Sequence, residues 1–107
     1  MRLLLDECVP KRLRRDLPGH DISTAVEMGW SGKRNGELLR LMVANGFVAF
    51  LTVDKNIEFQ QNMSASGLGV IVLVARTIRT KDLRPLAPAV LAALKHLKPG
   101  DLVRIGA

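Results

Sequence analysis

Phe47-Val48-Ala49-Phe50-Leu51-Thr52-Val53, closed by Asp54, is the stretch that decides the fold class. A strand with one wet face alternates polar and apolar residues, whereas this run is apolar almost throughout, the pattern of a strand covered on both faces. Four other short runs are read as strands, most of them continuously apolar: Arg2 to Leu5, Asp21 to Thr24, Gly69 to Val74, and Leu102 to Ile105. The stretches between several of them are long enough for a helix, as connections between parallel strands require. The expectation is an α/β three-layer sandwich, with a mainly parallel sheet of about five strands flanked by helices, in one domain spanning residues 1–107.

The connecting segments carry helix signals. Pro10 suits a first helical residue, and Val9, Leu13 and Leu17 recur every four residues as one apolar stripe, with Lys11, Arg12, Arg14 and Arg15 largely outside it. Pro18-Gly19 ends that helix. A loop through Gly29, Trp30, Ser31 and Gly32 leads to Asn35, read as an N-cap, and to a helix from Gly36 to Ala44 that closes at Asn45-Gly46. Only Glu37 and Arg40 in that helix are strongly polar, so it needs cover on more than one side. Sheet contact supplies part, and a homodimer or protein partner through residues 36–46 the rest. A short helix is expected from Asn56 to Met63. A last one begins between Thr80 and Pro88, since Pro85 and Pro88 are tolerated only in a first turn, and runs to about Leu97.

Composition narrows the class. Of 107 residues 48% are hydrophobic but only 4% aromatic, so the core is built from Leu, Val, Ile and Ala, and disorder is excluded. Sixteen Lys and Arg against ten Asp and Glu give a net charge of +6, which attracts a polyanion and makes nucleic acid the first partner to consider; an ordinary basic soluble surface is the alternative. The single cysteine, Cys8, rules out an intrachain disulfide, and no Cys and His spacing suits zinc, which fits a cytoplasmic setting. The apolar start Leu3-Leu4-Leu5 meets Asp6 and Glu7 at once, too short for a signal peptide or membrane span.

In an open parallel sheet, ligands bind beyond the carboxyl ends of the strands. Asp6 follows Leu3-Leu4-Leu5 directly and Asp54 follows Phe50-Leu51-Thr52-Val53, so both emerge at that edge; Glu37, in a first helical turn, is expected there too. Two unit charges roughly 5 Å apart repel by about 3 kcal/mol at an effective dielectric of about 20, and a cation relieves the conflict. Oxygen ligands favour Mg2+ or Mn2+, which suit phosphodiester hydrolysis.

The opening Leu3-Leu4-Leu5-Asp6-Glu7-Cys8-Val9-Pro10, the Gly19-His20-Asp21 before the second strand, Asn35-Gly36-Glu37-Leu38-Leu39, and Leu51-Thr52-Val53-Asp54-Lys55-Asn56 together resemble the small bacterial PIN-like proteins, related to the toxins of type II toxin–antitoxin systems. The resemblance covers nearly the whole chain and lies in the order and spacing of the pieces. It implies a PIN-like domain, Mg2+-dependent endoribonuclease activity, and often an inhibitory antitoxin partner. It assigns Asp6, with Glu7 beside it, to the strand-one acid of the family and Asp54 to the acid of its T-x-D motif. Where the family commonly has Asp, this chain has Asn35 and Asn56; both departures remove charge, and Glu37 is the candidate to compensate for the first. Catalytic and metal-binding roles thus fall to Asp6, Glu37 and Asp54, with Glu7, Asn35 and Asn56 around them.

Each assignment has a plainer alternative. Asp6 and Asp54 suit caps or turns, Glu37 suits the positive end of a helix, and Asn35 and Asn56 suit caps. Glu7 is a brace or a solvated group, and Gln60-Gln61-Asn62 either touches RNA or ends a helix. His20 and His96 read as turn and helix-end residues, Cys8 as packing, and Trp30 as cover for a core edge or a stacking surface for a base. The residues expected to hold RNA phosphates are Lys11, Arg12, Lys33, Arg34 and Arg76, from wider clusters that include Arg14, Arg15, Arg79, Lys81 and Arg84. Two other functions compete with a nuclease: a catalytically degenerate RNA- or protein-binding module, and a receiver-like regulatory domain with Asp54 as phosphoacceptor.

Overall fold

The computed structural model describes residues 1–54 and 67–106. Five strands, β1 (Arg2–Leu5), β2 (Asp21–Thr24), β3 (Ala49–Thr52), β4 (Gly69–Val74) and β5 (Leu102–Gly106), form one sheet in the order β2-β1-β3-β4-β5. All four pairings are parallel. The fold is thus α/β around an all-parallel sheet, compatible with a Rossmann-like sandwich.

Two apolar clusters explain why β1, β3 and β4 read as nearly unbroken apolar runs. Leu3, Leu5, Ala49, Leu51, Ile71 and Leu73 face one side, against Leu13 of a 3-10 helix (Lys11–Asp16) and against Leu83, Val90 and Leu94 of α2 (Thr80–Leu83) and α3 (Ala87–Leu94). Leu4, Phe50, Val70 and Val72 face the other side, against Leu38, Leu39 and Met42 of α1 (Asn35–Ala44) and against Trp30. Leu3, Leu4 and Leu5 are fully buried. Each such side chain contributes about 1.5–3 kcal/mol by leaving water.

Several boundaries differ from the sequence reading. Pro10 takes the cap position of the first helix and is not its first residue, and that helix is of 3-10 type. Val9 and Leu17 flank it and are buried with Leu13, so the four-residue stripe survives. Pro18 disfavours helical geometry at Leu17, which limits the element to six residues. Asn35 opens α1 from inside, and Arg34 holds the cap position without a capping side-chain bond. β3 is shorter than expected because the Phe47 N–H donates to Met42 O of the helix before it, at 3.0 Å. The last helix is in three pieces, α2, a 3-10 turn (Arg84–Leu86) and α3, because Pro85 and Pro88 each lack a donor and each begins a new turn. The helix expected over residues 56–63 lies outside the described residues.

The connections β2-α1-β3 and β4-α2-α3-β5 carry the chain the same way across the sheet but over opposite faces, so they are of opposite hand. Uniformly right-handed crossovers would have kept both on one face. After β4 the chain instead reaches back to the 3-10 helix, where Arg84 Nε meets Asp16 Oδ2 at 3.1 Å. α1 is buried on its sheet side, while Leu41 is partly buried and Val43 half-exposed. None of the described helices is long and apolar enough to cross a membrane.

Candidate functional site

The chain reverses direction of travel between β1 and β3, the usual position of a ligand crevice in such sheets. Beyond the last paired residues the ladder continues: the Asp6 N–H donates to Leu51 O at 2.9 Å, and the Ala25 N–H to Leu5 O at 3.0 Å. Asp6 is therefore fixed at the edge by backbone on its own strand and on β3.

Its carboxylate is held by three donors. The Glu7 N–H donates to Oδ1 at 2.8 Å, the Thr52 hydroxyl to Oδ2 at 2.7 Å, and the Cys8 thiol weakly to Oδ2 at 3.6 Å. Thr52 is fully buried, and its Oγ1 also accepts the Asp54 N–H at 3.1 Å. One hydroxyl thus gives its proton to the acid after β1 and receives the amide proton of the acid after β3. Asp6 and Asp54, far apart in sequence, stand at the ends of adjacent strands joined through Thr52. Burial, and then the charge and hydrogen bond of Asp6, push the Cys8 thiol above its ordinary pKa, so it stays protonated and serves packing.

Glu37 does not join them. Its Oε1 lies 3.3 Å from Lys33 Nζ, an exposed pair one turn apart on the way into α1. Among the described residues no group of three or more His, Cys, Asp and Glu is gathered to hold a metal ion, so the three-carboxylate cluster expected from the sequence is not formed there. The charge of Glu37 is met instead by Lys33, four residues earlier. Asn56, Gln60-Gln61-Asn62 and the Asn35 side chain lie outside the described part of the structure.

Glu7, next to Asp6, points elsewhere. Its Oε2 accepts the Ser31 hydroxyl at 2.7 Å, and the Gly32 N–H is shared between Oε1 and Oε2 at 3.2 and 3.3 Å. It braces the loop between β2 and α1.

A cleft of about 300 Å3 opens beside Asp6 on the β2 side, with Val9, Pro10 and Lys11 on one wall and Thr24, Val26 and Glu27 on the other. Its far wall is a network that the sequence reading missed. The Thr24 N–H donates to Glu27 Oε1 and the Glu27 N–H donates to Thr24 Oγ1, both at 3.0 Å, the reciprocal pattern of a capping box. Arg14 donates to Glu27 Oε1 and Oε2 at 2.9 and 3.0 Å, and to Ile22 O at 3.1 Å. Thr24-x-x-Glu27 was the available signal. Arg14 is accordingly a structural cation.

Arg14, and then the Thr24 N–H, lower the Glu27 pKa from 4.5 to about 2. A carboxyl more acidic when folded than unfolded adds stability that is complete above about pH 4.5 and is lost as pH falls toward about 2. In thermal unfolding scans, the wild-type chain is expected to lose its advantage over Glu27→Gln across that window, the two curves converging at the acid end. A constant gap would remove Glu27 from the acid response.

The expected RNA contacts are all on the surface. Lys11 lines the cleft, Arg12 is exposed on the 3-10 helix, Lys33 and Arg34 precede α1, and Arg76 follows β4. Lys33, Arg34 and Arg76 thus belong to loops at the same edge as Asp6. His20 and His96 precede β2 and β5 and so belong to the opposite edge; the buried Nδ1 of His20 has no partner among the described residues. Trp30 is buried edge-on against Phe47, ring centroids 5.8 Å apart, and covers the core. The sheet order is one that receiver domains share. However, β5 carries no lysine, and Lys81 is exposed on α2.

No protein-family model, no curated protein and no solved structure matches the chain.

Proposed function

We propose that the chain is a PIN-like endoribonuclease dependent on Mg2+ or Mn2+, the toxin half of a type II toxin–antitoxin pair, with Asp6 and Asp54 as its metal-holding acids. The observation that carries this reading is the Thr52 hydroxyl linking two carboxylate residues at neighbouring strand ends. The donor set fits the ion: Mg2+ is commonly held by one or two carboxylates, the rest of its shell being water and substrate phosphate. When bound, such an ion activates water and offsets charge on the phosphoryl group.

The chain's own groups do the rest. Asp6 and Asp54 hold the ion, Thr52 keeps Asp6 oriented, and Lys11, Arg12, Lys33, Arg34 and Arg76 draw the RNA backbone to the edge. Contacts to phosphates make affinity fall with salt without selecting sequence. The inhibitory protein, or a second copy of the chain, would meet the half-exposed side of α1 around Val43. Incubation of the purified chain with single-stranded RNA, with Mg2+ or with chelator, tests the reading: cleavage with the ion only is expected, and cleavage unchanged by chelator sinks it.

A degenerate binding module is the second reading, favoured by the absence of a three-acid cluster among the described residues and by Asn35 and Asn56. Its mark is RNA or protein binding that needs no metal and survives Asp6→Asn in a chain without cleavage activity.

A further inference from the structure

We propose that Glu7 is a positioning residue: its carboxylate holds the loop between β2 and α1 so that Lys33 and Arg34 meet the phosphates of single-stranded RNA. The proposal rests on the endoribonuclease reading and deepens it.

Asp6 and Glu7 are consecutive, yet their carboxylates have separate tasks. Asp6 turns to Thr52 at the end of β3. Glu7 turns to Ser31 and Gly32, taking the Ser31 hydroxyl and the Gly32 N–H. Gly32 has φ +80° with open space where a side chain would start, so glycine serves the backbone conformation that aims its N–H at Glu7. Two residues earlier, Trp30 is sunk in the core, its N–H donating to Ala25 O at 2.9 Å. The Lys33 N–H returns to Trp30 O at 3.2 Å. The loop is thus pinned from below by Trp30 and from the site side by Glu7, and the exposed cations Lys33 and Arg34 follow at once. Their location relative to Asp6 is set through the residue bonded to Asp6.

The proposal fixes the sign of an effect. Removing a carboxylate from a chain that binds a polyanion should tighten binding on charge alone. Loss of the clamp predicts weaker binding, because the two cations must then be ordered at the moment RNA is bound.

The test is fluorescence anisotropy of a labelled single-stranded RNA oligonucleotide at low salt without divalent ions, with Mn2+ binding to the same proteins measured by calorimetry. Glu7→Ala is expected to weaken RNA binding about fivefold, and to have no further effect when Lys33 and Arg34 are already alanine, since interacting residues are non-additive. Glu7→Gln keeps the side-chain shape and one accepting oxygen, so it should fall between the two and guards against a poorly folded alanine variant. Mn2+ affinity should change no more in Glu7→Ala than in Glu7→Gln, since both lose the same charge beside Asp6. Equal or tighter RNA binding by both Glu7 variants overturns the proposal, as does the same loss in both backgrounds or a larger loss of Mn2+ affinity in Glu7→Ala than in Glu7→Gln. A wild-type chain that binds no RNA overturns the endoribonuclease reading, and the proposal with it; wild-type binding with no effect of Glu7 overturns the proposal alone.

Discussion

Asp6→Asn is expected to lower the Mg2+-dependent rate of RNA cleavage by about 100- to 1000-fold, the usual scale for removing one well-placed electrostatic group from a catalytic site. The substitution keeps the shape of the side chain and removes its charge. Structure around it should persist, because the Thr52 hydroxyl can turn and accept from an amide where it now donates to a carboxylate. The Glu7 N–H keeps an acceptor in the amide oxygen. The loss should therefore appear in the rate and not in folding. Asp54→Asn is expected to cost the same order, since both acids would hold one ion. Glu37→Gln serves as the contrast: Glu37 is half-exposed and paired with Lys33, so its loss should change the rate by no more than about threefold, as for exposed ion pairs generally. Initial rates on a fluorogenic single-stranded RNA, with circular dichroism to verify folding, decide the matter. If Asp6→Asn cleaves at the wild-type rate, the metal site is elsewhere or absent. If Glu37→Gln falls as far as Asp6→Asn, all three acids act together.

What could be read in the sequence was whatever local pattern determines. Leu3-Leu4-Leu5 and Gly69-Val70-Ile71-Val72-Leu73-Val74 have no polar face, and a strand with no polar face must be covered twice; β1 and β4 end where those runs end. Asp6 and Asp54 could be placed because a parallel sheet sends every strand's carboxyl end to one edge. Helix details were harder. The four-residue spacing of Val9, Leu13 and Leu17 looks the same whether the residues between them form an α-helix or a short 3-10 helix, and Pro18 decides the matter. The face over which α2 and α3 cross is not a property of their own residues, since an apolar stripe is satisfied by either side of the sheet.

Side-chain partnerships were hidden for a related reason. Asp6 and Glu7 look alike as neighbours, but one meets Thr52 and the other meets Ser31, residues that only the folded topology brings close. Glu37 looked like a third ligand because acids in a first helical turn often face a site; Lys33, one turn earlier, was an equally visible i, i+4 partner and was the one it took. The Thr24-x-x-Glu27 box was also legible, yet it closes a turn after a strand and does not open a long helix, the setting in which that pattern is usually sought.

Thr52→Val should show whether the hydroxyl between the two acids serves stability alone or the site as well. Valine nearly matches threonine in shape, so no cavity opens at this fully buried position, and the whole effect belongs to the oxygen. Without it the Asp54 N–H loses that acceptor and Asp6 Oδ2 loses its shortest donor. Leaving buried polar groups without such partners costs about 1–3 kcal/mol, to be read as a lower urea midpoint with an unchanged slope. Asp6 would then be free to swing about its side-chain torsions, and a ligand whose supporting hydrogen bond is removed typically loses about 10- to 100-fold in metal affinity or activity. Thr52→Ser keeps the oxygen and drops a methyl group, so it should lose about 1 kcal/mol of stability and retain nearly all of the cleavage rate. The pair of variants separates the two roles. A valine variant less stable than wild type but equal to it in Mn2+ affinity and rate, measured well below its unfolding midpoint, would make Thr52 a packing residue and leave the link between Asp6 and Asp54 without chemical consequence. A valine variant that loses rate while the serine variant keeps it would tie the orientation of Asp6 to the single hydroxyl that spans β1 and β3.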